Sequence, residues 1–306
     1  MDEIVVKNLT QDYGHGRGVF DVSFSVKKGE VFGFLGPNGA GKSTTIRHLM
    51  GFSKPQNGET LILGKESFSS YTEFMEKVGY LPGEVALPVG ISGYQFLDMM
   101  KKMKNCKNDE WLNYLLKYFE VDASGETKRM SLGDKRKLAV VAAFLNDPDI
   151  LILDEPTSGL DLKMQQKFIE FIKNEKKRKK TILLSSHIFR EVDATCDKIA
   201  IIKDGKIVSE FNKNDLNHSE NKLYKIGFKT LEDKKQFVKQ NSRSKFMNLK
   251  SVENNWVFVK TNDQNINKLL QALSNFKGFS FEHQKETLED YFMKFYKEDK
   301  VFGGVL

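Results

Sequence analysis

The sequence predicts an α/β protein of two domains, a parallel-sheet domain followed by a small α+β unit. Three observations carry this. Short, continuous runs of Val, Ile, Leu and Phe alternate with amphipathic stretches up to about residue 215. Unbroken apolar runs of this kind suit strands buried on both faces, the mark of a parallel sheet with helices packed on it. Beyond Asp215 the pattern resets to a new set of strands and helices. At 306 residues two domains are expected, and the boundary is placed between residues 217 and 218.

Val31–Leu35 is the first buried strand, bounded by Gly29-Glu30 and Gly36-Pro37. A glycine loop and a helix over 44–51 follow. The runs at 150–153, 181–184 and 198–203 read as further strands, with helices over 163–177 and 188–196 between them. Asp204-Gly205 is a hairpin turn into a strand at 207–211. Between about 86 and 146 helical spacing dominates, with helices expected over 94–103, 109–119 and 132–145. The tail reads strand 223–228, helix 232–240, strands 246–252 and 256–261, helix 265–273, strand 279–283 and helix 287–296. The order β-α-β-β-α-β is that of a ferredoxin-like unit with a helix appended.

Composition excludes several classes. Apolar residues make up 40% of the chain, enough for a sizeable core. Cys106 and Cys196 provide no disulfide framework or cysteine zinc site, which fits a reducing compartment. The start, MDEIVVKN, does not read as a signal peptide. The longest purely apolar run, 138–145, is eight residues, against about 20 for a membrane span. Any membrane role therefore passes through a partner. The net charge is +7, and most of the excess lies from Leu216 onward, where 16 Lys/Arg face 11 Asp/Glu. A solvated lysine-rich surface accounts for it, and no nucleic-acid partner is expected.

The chemistry sits in three segments. Gly36-Pro37-Asn38-Gly39-Ala40-Gly41-Lys42-Ser43 fits G-x-x-x-x-G-K-[ST] and joins a buried strand to a helix. Its glycines let backbone N–H groups turn inward around phosphates, and the helix N-terminus adds positive potential. Lys42 is expected on the β- and γ-phosphates and Ser43 on Mg²⁺. The strand at 150–153 runs into Asp154 and Glu155. Ligands of such sheets lie beyond the carboxyl ends of the strands. Asp154 is therefore expected to orient Mg²⁺ or its water, and Glu155 to take a proton from the attacking water. His187 ends the strand at 181–186 and is expected at the same crevice.

Together these segments resemble the ATP-binding subunits of ABC transporters, over about residues 3–215. The resemblance implies a P-loop fold with a parallel-sheet core, an antiparallel β part and a helical insertion. It makes Gly36 to Thr44 the Walker A loop, Leu151 to Glu155 the Walker B strand, Tyr13 the aromatic that stacks on adenine and His187 the switch histidine. Ser131 to Asp134 takes the signature position, with Ser131 and Gly133 as γ-phosphate contacts, and Ser158-Gly159-Leu160-Asp161 is the D-loop. It further implies ATP and Mg²⁺ as cofactors, head-to-tail dimers with ATP sandwiched between Walker A and the other subunit's signature segment, and a separate membrane-spanning permease. The location implied is cytoplasmic, at the inner face of the cell membrane. Two places depart from the pattern. The signature reads Met130-Ser131-Leu132-Gly133-Asp134, and the Q-loop position, Pro82-Gly83-Glu84, has no Gln. The looser signature and the tail, with Leu288-Glu289-Asp290-Tyr291-Phe292, resemble single-domain exporter ATPases of the bacitracin-resistance type.

Two functions follow. One is the energising ATPase, as homodimer or heterodimer, of an exporter of a drug, antimicrobial peptide or lipid-like compound. The other is a soluble ABC-type ATPase acting on nucleic acid or ribosomes. One cassette instead of a tandem pair, and only about 110 residues between Lys42 and Asp154, favour transport.

Overall fold

A computed structural model describes residues 1–217, 221–242, 244–284 and 287–297. The chain begins with antiparallel strands β1 (Asp2–Asp12) and β2 (Gly18–Lys27), then β3 (Val31–Leu35) and helix α1 (Lys42–Leu49). Strands β4 (Asn57–Ile62) and β5 (Lys65–Glu66), the short helix α2 (Tyr71–Phe74) and strand β6 (Val78–Leu81) follow. Helices α3 (Gly93–Met103), α4 (Asp109–Tyr118) and α5 (Leu132–Phe144) form the insertion. The alternation then resumes with β7 (Ile150–Asp154), α6 (Leu162–Lys177), β8 (Thr181–Ser186), α7 (Phe189–Thr195), β9 (Lys198–Lys203) and β10 (Lys206–Asn212).

Six of these strands make one sheet in the order β10-β9-β3-β8-β7-β6, with every pair from β9 to β6 parallel and β10 antiparallel to β9. Strands β3, β7 and β8 are buried along their whole length, as their unbroken apolar runs require. One feature departs from the sequence reading. Val78–Leu81 joins as the edge strand beside β7, although four residues containing a glycine give too little pattern to announce a strand. The antiparallel β part implied by the resemblance is present, and it covers one face of the parallel sheet. A second, antiparallel sheet, β2-β1-β4-β5, shares one core with α1 and that face through Ile4, Val22, Phe24, Phe32, Phe34, Ile46, Ile152 and Ile202.

The insertion is fixed by its caps. Ser92 and Gln95 form a reciprocal capping box on α3, Asn108 caps α4, and Ser131 caps α5. The apolar run at 138–145 is wholly buried, so it is core and not a membrane segment. Among the described residues no helix is long and apolar enough to cross a membrane.

The chain divides into two compact units, Met1–Lys213 and Asn214–Leu306. That division falls four residues before the expected one, at helix α8 (Lys213–Asn217); residue 218 lies outside the described residues. The second unit contains β11 (Asn221–Phe228), α9 (Leu231–Asn241), β12 (Asn248–Glu253), β13 (Trp256–Asn262), α10 (Ile266–Leu273), β14 (Phe279–Gln284) and α11 (Leu288–Lys297). Its sheet is antiparallel in the order β12-β13-β11-β14, the ferredoxin-like arrangement. Tyr224, Ile226, Phe228, Val257 and Val259 form its own core with Phe237 of α9 and Leu269 and Leu273 of α10.

Candidate nucleotide-binding site

Strands β3, β8 and β7 lie side by side and parallel, so their carboxyl ends reach one edge of the sheet. The glycine loop leaves β3 there, Asp154 and Glu155 leave β7, and His187 leaves β8. The loop's last residue, Gly41, is the N-cap of α1 at φ +107°, and a Cβ on it would fall 2.6 Å from Val19 Cγ1. Backbone conformation and space therefore both call for glycine. The helix starts two residues earlier than the sequence suggested, so Lys42 and Ser43 form its first turn.

Lys42 is buried, at 5% exposure. Its ammonium donates to Gly36 O at 2.6 Å and Pro37 O at 3.0 Å, and pairs with Glu155 Oε1 at 2.9 Å. The other Glu155 oxygen, Oε2, lies 2.6 Å from His187 Nδ1. An ionised carboxylate only accepts, so the proton of this bond belongs to Nδ1. Loop, strand end and His187 are thus joined through one carboxylate. Glu155 holds φ +48°, a left-handed conformation that costs a non-glycine residue about 1–3 kcal/mol. Its N–H donates to Ser185 O at 3.1 Å and reaches Ser185 Oγ at 3.2 Å.

Asp154 is buried at 2% exposure and accepts a hydrogen bond from Ser185 Oγ. Asp154, Glu155 and His187 line one open cleft of about 630 Å³ with Asn38, Ser43 and Tyr80. Burial first, and then the Asp154 charge, push the Tyr80 hydroxyl up to about 12. Among the described residues no three His, Cys, Asp or Glu side chains gather as a metal cluster. Within the cleft the Asp154 carboxylate and the Ser43 hydroxyl are hard oxygen donors of the kind Mg²⁺ takes when phosphates complete its shell.

The other predicted residues lie elsewhere in the same unit. Tyr13 is 60% exposed in the β1–β2 turn, its N–H donating to Arg17 O. Ser131 caps α5: its Oγ accepts from Asp134 N at 3.1 Å and donates to Asp134 Oδ2 at 2.7 Å. Asp134 also pairs with Lys137 at 2.7 Å, and Lys137 first and Ser131 second hold its carboxyl below the usual range. The carboxylate of the altered signature is thereby turned onto its own helix. Gly133 sits against the D-loop, where a Cβ would lie 3.2 Å from Gly159 O. Asp161 caps α6 by accepting from Met164 N at 2.8 Å. None of these four lines the cleft.

The sequence reading missed Ser185, Tyr80 and Arg136. Ser185 had a signal, a polar residue inside an otherwise apolar strand. Arg136 had one too, a cation two residues ahead of the apolar run; it is buried, at 4% exposure.

A glycine loop at a helix N-terminus, beside a strand ending in two carboxylates, defines a nucleoside-triphosphatase site. The ABC transporter family model matches residues 19–158. The chain is 36% identical over 224 residues to the uncharacterized ABC transporter ATP-binding protein YhcH of Bacillus subtilis (strain 168), covering 72% of this chain and 73% of that one. It is 35% identical over 214 residues to the bacitracin transport ATP-binding protein BcrA of Bacillus licheniformis, covering 68% and 69%. A solved ATP-binding subunit of an ABC transporter superposes with a TM-score of 0.63 at 29% identity, over 70% of this chain and 91% of that one. The chain belongs to the ATP-binding proteins of ABC transporters and is an ATPase of that family.

Proposed function

We propose that this chain binds Mg-ATP in the cleft at the ends of β3, β7 and β8, dimerises head to tail around it, and drives a separate membrane-spanning permease. The observation that carries the reading is that Glu155, lining the cleft with His187, binds the buried Lys42 ammonium through one oxygen and His187 through the other. Lys42 rests on Glu155. A triphosphate in the loop competes for that ammonium, and its departure frees Glu155 Oε1 to take the proton of an attacking water. His187 holds the other oxygen and fixes the carboxylate's orientation. Ser43 and Asp154 would hold Mg²⁺, which when bound neutralises phosphate charge. The backbone N–H groups of Gly36 to Thr44 cradle the phosphates, and Tyr13, exposed in this chain, is free to stack on adenine.

Ser131, Gly133 and Asp161 lie outside the cleft of their own chain. They serve the nucleotide of a second copy, to which the α5 N-terminus and the Ser131 hydroxyl offer donors. The likeness to a bacitracin transport protein supports an exporter of a drug, antimicrobial peptide or lipid-like compound, and favours transport over action on nucleic acid. The protein then works at the inner face of the membrane, held there by its permease. The ferredoxin-like unit, with its own core, is an accessory domain over 218–306.

The test is Lys42→Ala. Removing a charged donor from a buried phosphate site should weaken nucleotide binding about 10- to 100-fold. Calorimetry with ATP measures it; unchanged affinity would remove the loop from the site.

A further inference from the structure

The Arg136 guanidinium carries charge into the molecule and takes backbone carbonyls as partners. Nη1 donates to Pro82 O at 2.8 Å, Nη2 to Gly83 O, and Nε to Ser158 O at 3.2 Å. Each carbonyl belongs to a segment that sets a catalytic carboxylate. Gly83 lies against Asp154, so close that a Cβ there would stand 2.8 Å from Asp154 Oδ2. Ser158 closes the turn after Glu155, its N–H donating to Glu155 O at 3.1 Å. Arg136 itself is on α5, the helix whose N-cap is Ser131. One rigid fork thus connects the signature helix to the two loops around Asp154 and Glu155. Only a planar, multi-donor group can span both loops at once. Burial pulls the guanidinium pKa down while Asp154 and Glu155 pull it back up, as expected of a cation held near two carboxylates.

We propose that Arg136 is a positioning residue for hydrolysis, relaying the setting of the signature helix to the Asp154 and Glu155 loops of the same chain. The inference rests on the ATP-sandwich reading above. When a second copy's nucleotide engages Ser131, α5 is drawn by its N-terminus. Arg136 then carries that displacement to the carboxylates serving the chain's own nucleotide. Each site would thereby sense occupancy of the other without any contact of Arg136 with nucleotide.

The test uses the full chain with Arg136→Gln and Arg136→Lys, and Lys42→Ala as the inactive reference. Titration with a fluorescent ATP analogue counts binding-competent molecules and gives affinity; steady-state ATPase then gives turnover per competent molecule. Both Arg136 variants should bind the analogue within two-fold of wild type. Turnover per competent molecule should fall ten-fold or more for Gln and at least three-fold for Lys, which keeps the charge and loses the fork. A merely structural arginine would lower the number of competent molecules and leave turnover per molecule unchanged, and that result overturns the proposal. If Arg136→Gln does not fold, Arg136→Lys decides by the same criterion. Wild type no more active than Lys42→Ala would overturn the ATPase-site reading and this inference with it. An active wild type with unaltered Arg136 variants would overturn the inference alone.

Discussion

The glycine-loop edge and the signature segment belong to one unit yet are finished differently. At the loop edge the polar groups close on one another across three strands: Lys42 on Glu155, Glu155 on His187, Ser185 on Asp154. At the signature segment Ser131 and Lys137 close on Asp134 of the same helix. Beside them Leu132 is 68% exposed. The first region is a site whose polar groups are already set against one another. The second is a surface with a helix N-terminus and an uncovered apolar side chain, which is what half of an interface looks like before its other half arrives. On the proposed reading one chain contains two half-sites, each completed by a second copy.

The largest effect expected on the finished side is that of Glu155→Gln. The amide keeps the shape and cannot accept a proton, so turnover should drop at least about 100-fold with ATP binding retained. Rapid-quench and calorimetric measurements would show it. Near-normal turnover would move the base elsewhere, with His187 the next candidate.

A smaller effect is expected behind the same edge. Glu191 is 1% exposed on α7 and accepts from Ser186 Oγ at 2.6 Å. Burial pushes its carboxyl from 4.5 up to about 8. Because the folded chain keeps this proton where the unfolded chain loses it, its contribution to stability is complete below about pH 4.5 and declines as pH rises toward 8. Glu191→Gln should remove that part of the slope, seen as a flatter dependence of melting temperature on pH between 5 and 8. An unchanged slope would place the proton elsewhere.

The smallest effect is expected on the unfinished side. Leu132→Gly removes an exposed side chain and should change the nucleotide affinity of the isolated chain by no more than about two-fold. Calorimetry with ATP checks this. A large loss would mean that Leu132 already serves the site of its own chain.

The two regions were also unequally legible. The loop edge could be read because its chemistry is local in sequence. A glycine loop, a strand ending in Asp154-Glu155 and a strand ending in His187 each announce themselves, and parallel pairing brings them together. The tail's order of elements was legible for the same reason, since its strands and helices alternate cleanly. What escaped depended on contacts distant in the chain. Val78–Leu81 is a strand because β7 pairs with it. The antiparallel sheet of β1, β2, β4 and β5 was expected only from the family resemblance, because buried runs alone do not tell which element covers a sheet face. Arg136 acts on residues more than fifty positions upstream, a link that no spacing rule in the sequence expresses.

The claim that the two half-sites complete each other between copies is tested most directly by mass. In the Glu155→Gln background with Mg-ATP, sedimentation should show a dimer of twice 35.1 kDa. Adding Ser131→Arg to the same chain should return it to monomer with its ATP affinity kept, because bulk then stands between the signature segment and the other copy's γ-phosphate. A Glu155→Gln chain that stays monomeric with Mg-ATP, or a dimer that survives Ser131→Arg, would contradict the account.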